Sequence, residues 1–503
     1  MMHGKDILII GGGIGGLAAG CYAQMNGYET RIYEMHDKPG GVCTSWSRKG
    51  YTIDGCIHWL YGAGPASRLY TIWQEVGVVP DQPLVLYDEF ISIREPSGKA
   101  FTLYTDLDRL EAHMKALSPA DSALIDSYIR AIRRFGEVEL FAIPLYAPWD
   151  WVKQMPRIPD MITWGRMTME DFAAKFRDPF LRQVFPLIHG YPPLPMAVHL
   201  TNIGSFHLGA SGWPQGGSLA FSRQIAHRYQ TLGGEMRYES RVNKILVENG
   251  RAIGIELEDG TEERVCDRGG TAIISGADGH ATIYHLLDGQ FESDRVAKYY
   301  GNIPDDASGY AVQVALGVDR DFSGEPHTIS LLLESPVTIM GQEHHRITVQ
   351  HYCFDPSMAP QSKSVLNVWL ESSYDRWAEL YKDRARYRET KQEVAEAMID
   401  LLGAHWPGLR DQVEMIDVST PVTTARYTGA WRGIQAWPMP KDMVGTMLKG
   451  ISETLPGLAD FYIVGQWATG ISGLPTIVTA ARSTIRKLCR RDGRPFMTHT
   501  DPA

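Results

Sequence analysis

Two hydrophobic periods alternate along the chain, and the first switch between them comes at once. Residues 7–10 form an all-apolar run of strand length, Gly11-Gly12-Gly13 interrupts it, and 14–25 is a stretch of mostly small and apolar residues that fits a helix. Gly27 stops that helix, and a second strand ends on an acid, Glu34. A strand–turn–helix–strand unit is therefore predicted over 5–34.

Turn signals cut the rest of the pattern into short pieces. Arg48-Lys49-Gly50 leads into a strand at 51–53, and Pro96-Ser97-Gly98 joins strands at 90–93 and 101–104. Asp106 begins a helix. Ser118-Pro119-Ala120-Asp121 reads as an N-cap with proline at the first helical position, opening a helix that runs toward Arg134. Residues 139–167 are dense in aromatics, methionine and proline, and the prolines forbid one long helix. A helix is predicted at 219–232, followed by strands separated by Asn249-Gly250 and Asp259-Gly260 and a strand at 272–275. Alternation returns at 310–318 and 345–352, with an apolar run at 365–370. Residues 384–402 form an amphipathic helix with Val394, Met398 and Leu401 on one face and an Arg386–Glu389 charge pair. A buried strand at 462–464 and a helix at 474–488 close the pattern, giving an α/β chain.

The glycine turn carries the first candidate chemistry. Gly11, Gly13 and Gly16 spell G-x-G-x-x-G, which allows a tight bend, close approach of backbone to a pyrophosphate and close packing of helix on strand. Ile14 and Gly15 lie in the same turn. Glu34 stands at the end of the second strand, where a carboxylate can accept hydrogen bonds from a ribose 2′-hydroxyl and would repel a 2′-phosphate. NADP is thus a poor occupant, while FAD and NAD both remain open on these residues. A second backbone-approach loop, from Gly465 through Gln466 and Gly473 to Leu474, feeds a helix N-terminus whose N–H groups can stabilise negative charge.

Composition narrows the classes. The 503 residues exceed one ordinary core and favour two domains. A net charge of −10 with no long basic run argues against nucleic acid. Six cysteines without a C-x-x-C pair or close histidine partners imply free thiols in a reducing compartment and no metal site. The opening apolar run is broken by the glycines of the turn, so it is not expected to be a signal peptide, and no apolar run has spanning length. That leaves a cytoplasmic protein, or one held peripherally at the inner face of a membrane.

An acid ending the second strand, then Pro39-Gly40-Gly41, then the G-Y-x-x-D-G segment from Gly50 that continues as DGCIHWLYG, resembles the phytoene desaturase-like flavoproteins, nearest in wording to the retinol saturase and carotenoid isomerase branch. The resemblance implies an FAD-binding Rossmann-like domain of the amine-oxidase-like superfamily (1–75, 213–290 and 455–493) interleaved with a mixed-sheet plus helical substrate domain (76–212 and 291–454). It also implies that Gly40 and Gly41 belong to the FAD site, that Val242 holds the adenine through its backbone, and that the Gly465 loop lies along the ribityl and flavin ring. Members of the wider superfamily carry arginine after the paired glycines; Val42 and Cys43 stand here, so that phosphate contact does not carry over.

By the same resemblance His58, Trp59 and Trp467 lie beside the flavin. His58 is the titratable group for the proton half of a reaction, and Trp59 and Trp467 are the substrate wall. The alternative is that His58 is a satisfied core histidine and Trp59 is packing. The aromatic segment around 141–169 reads as core, as a surface that dips into a bilayer, or as pocket lining, and the resemblance favours the last. The function implied is an FAD-dependent oxidoreductase acting on carbon–carbon bonds of a long apolar, isoprenoid or carotenoid-like substrate by desaturation, saturation or isomerisation. A flavin-dependent amine oxidase, or a non-enzymatic isoprenoid binder of the GDP-dissociation-inhibitor type, are the alternatives. Assembly state cannot be read.

Overall fold

The first strand, Lys5–Ile10, is buried from Ile7 onward and has a parallel neighbour on each side, which is what an all-apolar run requires. It lies at the centre of a five-stranded parallel sheet in the order Phe461–Ile463, Ala272–Ser275, Lys5–Ile10, Tyr28–Tyr33, Glu235–Arg237. The start, middle and end of the chain therefore share one sheet. The computed structural model describes residues 5–265, 272–301, 303, 311–435, 453–470 and 472–498. Helix Ile14–Met25 packs between the C-terminal helix Leu474–Arg491 and helix Gly217–Thr231, and nearly all of its residues are buried. This explains its lack of a polar face.

A second sheet has seven strands in the order Val413–Ser419, Ala311–Val318, Ser364–Glu371, Gln342–His351, Thr328–Ile339, Glu89–Arg94, Ala100–Tyr104. All neighbours are antiparallel except Thr328–Ile339 beside Glu89–Arg94, so the sheet is mixed. Thr328–Ile339 and Val413–Ser419 were not foreseen. The first is interrupted by the exposed Glu334-Ser335-Pro336, where its pairing shifts register between Leu332 and Val337, and the second is an edge strand with Glu414 and Asp417 among its apolar residues. Helix Arg384–His405 covers this sheet through Tyr387, Val394, Met398, Ile399 and Leu402. Leu402 takes the buried position expected of Leu401, which is only partly buried at the rim. The Arg386–Glu389 pair forms at 2.7 Å.

A helical layer lies between the strands at 89–104 and helix Gly217–Thr231 in the chain. Asp106 caps helix Leu107–Leu117 by accepting from the Arg109 amide at 2.8 Å. Ser118 does not cap the next helix: Pro119–Asp121 is a 3₁₀ turn, and Ser118 instead donates to Asp121 at 2.7 Å. Asp121 is held there because it also accepts from the Arg177 and Asp178 amides, so a tertiary anchor replaces the local cap. The proline-rich stretch breaks into Leu140–Leu145, Pro148–Gln154, Met155–Arg157 and Ile158–Arg166. Helix Met196–His207, buried on every side except at its last residue, has no amphipathic period to betray it. Cys266, one of the six cysteines, lies outside the described residues; the other five are free thiols. No helix among the described residues is long and apolar enough to cross a membrane.

Candidate functional site

A cavity of about 760 Å³ opens at the carboxyl ends of four of the five parallel strands. Ile10 ends the first and Gly11 follows it, Tyr33 ends the second and Glu34 follows it, Gly276 follows the third, and Gly465 lies just past the last. Ligands of open parallel sheets bind at that end of the strands. Gly13, Ile14, Gly15, Gly40, Gly41, Val242, Gln466, Gly473 and Leu474 also line it, as do His58, Trp59 and Trp467. Ile471 of the second loop lies outside the described residues.

The glycines divide into two roles. A Cβ at Gly13 would meet no protein atom nearer than 3.9 Å, so the backbone there borders open space. At Gly16 a Cβ would stand 2.1 Å from the Gly11 carbonyl oxygen; Gly16 does not line the cavity and serves the close packing of helix on turn. Gly15 faces Gly465, where a Cβ would come within 3.2 Å of the Gly465 Cα, so the two backbone loops touch. Gly465 itself has φ +93°, a conformation that side chains rarely adopt.

Both helices that open on the cavity present N–H groups without helical acceptors. The first bond of one runs from the Leu17 amide to the Gly13 carbonyl, and that of the other from the Ile477 amide to the Gly473 carbonyl. The Ile14 and Gly15 amides on one side, and the Leu474 and Thr476 amides on the other, where Pro475 has no N–H to offer, are thus available to an anion. Such a donor set fits a diphosphate. Val42 and Cys43 line the wall without supplying a cation. Arg241 does line it and has no ion-pair partner among the described residues; sequence reasoning passed over it because its strand gave no motif. A register shift between Val242 and Lys244 marks a bulge there, and Arg241, Val242 and Asn243 all reach the cavity.

Glu34 is buried and accepts from the Gly12 amide at 2.7 Å and the His36 amide at 2.9 Å. Burial raises its carboxyl above the usual range, and these two amides oppose that shift. Each oxygen retains a lone pair for a further donor.

The loop bearing His58 and Trp59 is built on a buried carboxylate. Asp54 accepts from the Cys56 and Ile57 amides and from both the amide and hydroxyl of Ser218, which tie the loop to the start of helix Gly217–Thr231. Burial pushes its carboxyl upward, and the Ser218 bonds counter it. His58 places Nδ1 3.0 Å from Gln350 Oε1, which also accepts from Tyr352 at 3.2 Å. Gln350 comes from the mixed sheet, 292 residues away, so no local pattern could have paired it with His58. Trp59 packs edge-on to Phe90 at 5.1 Å. Beyond it the wall is made by Tyr61, Phe141, Leu194 and Val198 with three polar residues, His189, Tyr191 and Asn202, that sequence reasoning did not single out.

The sequence comparisons agree with this geometry. Residues 9–76 match the model of an NAD(P)-binding Rossmann-like domain. Over 92% of its length the chain is 24% identical to the chloroplastic prolycopene isomerase of Daucus carota, covering 76% of that protein. It is 27% identical to the neurosporene-forming phytoene desaturase of Cereibacter sphaeroides, over 94% of this chain and 92% of that one. The chain is similar along most of its length to proteins named for carotenoid desaturation and isomerisation. A third relative, the all-trans-retinol 13,14-reductase of Danio rerio, is 22% identical over 85% of this chain and 76% of its own. In fold, the chain is similar to an oxidoreductase from Methanosarcina mazei (TM-score 0.56, 19% identity, 96% and 100% of the two chains). It is also similar to the cyclohexylamine oxidase of Brevibacterium oxydans (TM-score 0.57, 14% identity, 98% and 100%). The architecture thus contains a Rossmann-like dinucleotide-binding unit.

Proposed function

We propose that this protein is an FAD-dependent oxidoreductase acting on carbon–carbon bonds of a long apolar, isoprenoid or carotenoid-like molecule. One observation carries the reading: the glycine-lined anion cradle and an aromatic, largely apolar wall belong to the same cavity, joined where Gly15 meets Gly465. The relatives over most of the chain are named for carotenoid and retinoid chemistry, whereas the amine oxidase matches in fold alone. That difference favours a polyene over an amine.

In this reading Gly11, Gly13, Ile14, Gly15, Gly40 and Gly41 hold the diphosphate, Glu34 and Val242 the ADP end, and Gly465, Gln466, Gly473 and Leu474 the flavin end. Gly16 supports them by packing. FAD, when bound, supplies hydride exchange with carbon. The chain's own residues do the rest. Trp59, Trp467 and the apolar wall align an extended substrate and exclude water. His58, fixed at Nδ1 by Gln350, presents Nε2 as the group that holds or accepts a proton. The dinucleotide half is discontinuous in this reading (1–75, 213–290, 455–493), with 76–212 and 291–454 forming the substrate half. Limited proteolysis should therefore leave no compact, flavin-binding fragment ending near residue 100.

The substrate reaches the site from a bilayer. Trp149 (68% exposed), Met155 (61%) and Ile162 (50%) project from the helices that follow the cavity residue Phe141, beside Lys153, Arg157 and Arg166. Apolar rings flanked by cations suit a membrane interface.

Anaerobic mixing of the oxidised and the photoreduced protein with polyenes, retinoids and amines, followed by flavin absorbance, tests the proposal. Reaction with a polyene in either redox form supports it, and the reactive form gives the direction. Reaction with amines alone would overturn it, and a purified protein that carries no flavin and takes none up would favour the non-enzymatic binder.

A further inference from the structure

The substrate wall contains a polar chain that a pure hydrocarbon would not use. Tyr128 OH lies 2.6 Å from His199 Nε2, and His199 Nδ1 lies 2.9 Å from His189 Nε2. Tyr128 and His199 are fully buried, while His189 lines the cavity. Burial holds His189 down at about 4 and His199 well below its ordinary value, with the His189 ring adding to the effect on His199, and it holds the Tyr128 phenol up. All three groups are therefore neutral near pH 7.

Neutrality fixes the proton positions. The Tyr128 hydroxyl has His199 as its hydrogen-bond partner; unless it donates to Nε2, its own proton is a buried orphan. With Nε2 accepting, the neutral His199 carries its proton on Nδ1 and donates to His189 Nε2. His189 must then carry its proton on Nδ1, which has no partner among the described residues. A tyrosine inside the helical layer thus sets a hydrogen-bond donor on the cavity wall.

A second residue stands on the same wall. Asn202 is only 7% exposed, lines the cavity, and has no hydrogen-bond partner among the described residues. It lies three residues after His199 on helix Met196–His207. Ring contacts run from His58 through Trp59 and Phe90 to His189, with centroids 6.5, 5.1 and 5.2 Å apart in succession, so an aromatic row separates this donor from His58.

Resting on the isoprenoid reading above, we infer that the substrate carries an oxygen, as an alcohol, ether or carbonyl, which accepts from His189 Nδ1–H and Asn202 while the apolar body lies along Trp59. A hydrocarbon would leave both groups buried without partners. Tyr128 and His199 are positioning residues that hold the His189 tautomer.

The test compares geranylgeraniol with the C20 hydrocarbon that has a methyl group in place of its CH₂OH, binding to the flavin-loaded protein. Tryptophan fluorescence reports binding, since Trp59 and Trp467 line the site. The alcohol is expected to bind about tenfold tighter or more, the usual effect of leaving a buried donor unpaired. In His189→Phe/Asn202→Leu that preference disappears while the hydrocarbon binds as well as before, and the flavin spectrum and melting temperature report intact folding. His189→Asn, which returns an N–H near the Nδ1 position, restores part of it. Tyr128→Phe, which only releases the tautomer, lowers it without abolishing it. Equal affinity for the two probes in the wild type, or a preference that survives in the double variant, overturns the inference and leaves the isoprenoid reading intact. Should neither probe bind a flavin-loaded protein, the isoprenoid reading fails and this inference with it.

Discussion

Substituting Gly13 by valine separates the cofactor cradle from the fold. Gly13 has φ −70° and ψ 173°, extended backbone that a β-branched residue adopts readily. Its added Cβ would meet nothing of the protein within 3.9 Å. The expected loss of stability in the flavin-free protein is that of a poor helix cap, about 1 kcal/mol. The isopropyl group would instead stand in the space facing the first-turn amides. Crowding of that kind costs about 1–3 kcal/mol, and loss of one hydrogen bond to a charged group about 1.5–3 kcal/mol. Together these weaken FAD binding by roughly a hundred- to ten-thousand-fold. Flavin content after identical purification, then titration of stripped protein with FAD, measures the effect. Melting must be compared between flavin-free proteins, because bound ligand raises it by mass action. Gly16→Ala is the contrasting control: its Cβ would collide with the Gly11 carbonyl, so it should lower the melting temperature of the flavin-free protein itself. Full flavin content in Gly13→Val would show that the dinucleotide does not lie over this turn.

Three further outcomes are expected. His58→Ala should keep its flavin spectrum and lose at least about a hundredfold in turnover; a drop of only a few-fold would make His58 part of the packing under Gln350. Burial raises Asp278 from 3.8 to about 6, and one of its oxygens has no partner. A folded-state value above the unfolded one stabilises most below pH 4 and loses that contribution as pH rises through 6, so Asp278→Asn should melt higher than wild type in flavin-free protein at pH 8 and lose that advantage by pH 4; a difference independent of pH would refute the assignment. Trp149→Ser with Trp151→Ser should reduce liposome flotation about tenfold or more, given the value of burying a large apolar side chain, and unchanged flotation would leave those rings as exposed surface only.

Much of the parallel sheet was legible because its signals are local. The run at 7–10, the glycine turn and helix Ile14–Met25 lie within one short stretch, and each follows from residue size and period. The candidate cavity was only half legible. Its backbone-lined side could be read from glycine spacing, but the partners of its side chains come from distant strands and helices. Gln350 reaches His58 across the mixed sheet, and Tyr128 reaches His199 across two helices. Helix Met196–His207 hid for a different reason: burial nearly all round erases the polar face that periodicity needs. At Ser118 a correct local rule lost to the amides of Arg177 and Asp178, which hold Asp121 in place.

The contact between Gly15 and Gly465 also bears on the order in which the protein is made. These glycines are about 450 residues apart in the chain, which at roughly 5–20 residues per second is about 20 to 90 seconds of synthesis. Early in that interval the nascent N-terminal unit lacks its flanking strands Glu235–Arg237 and Ala272–Ser275, and to the end it lacks the outer strand Phe461–Ile463, so the candidate cavity stays open on that side. On the proposed reading, stable cofactor capture therefore waits until the segment around Gly465 has been made. A truncation that removes only the last two elements should leave a chain that has made nearly all of its contacts and still cannot retain a flavin.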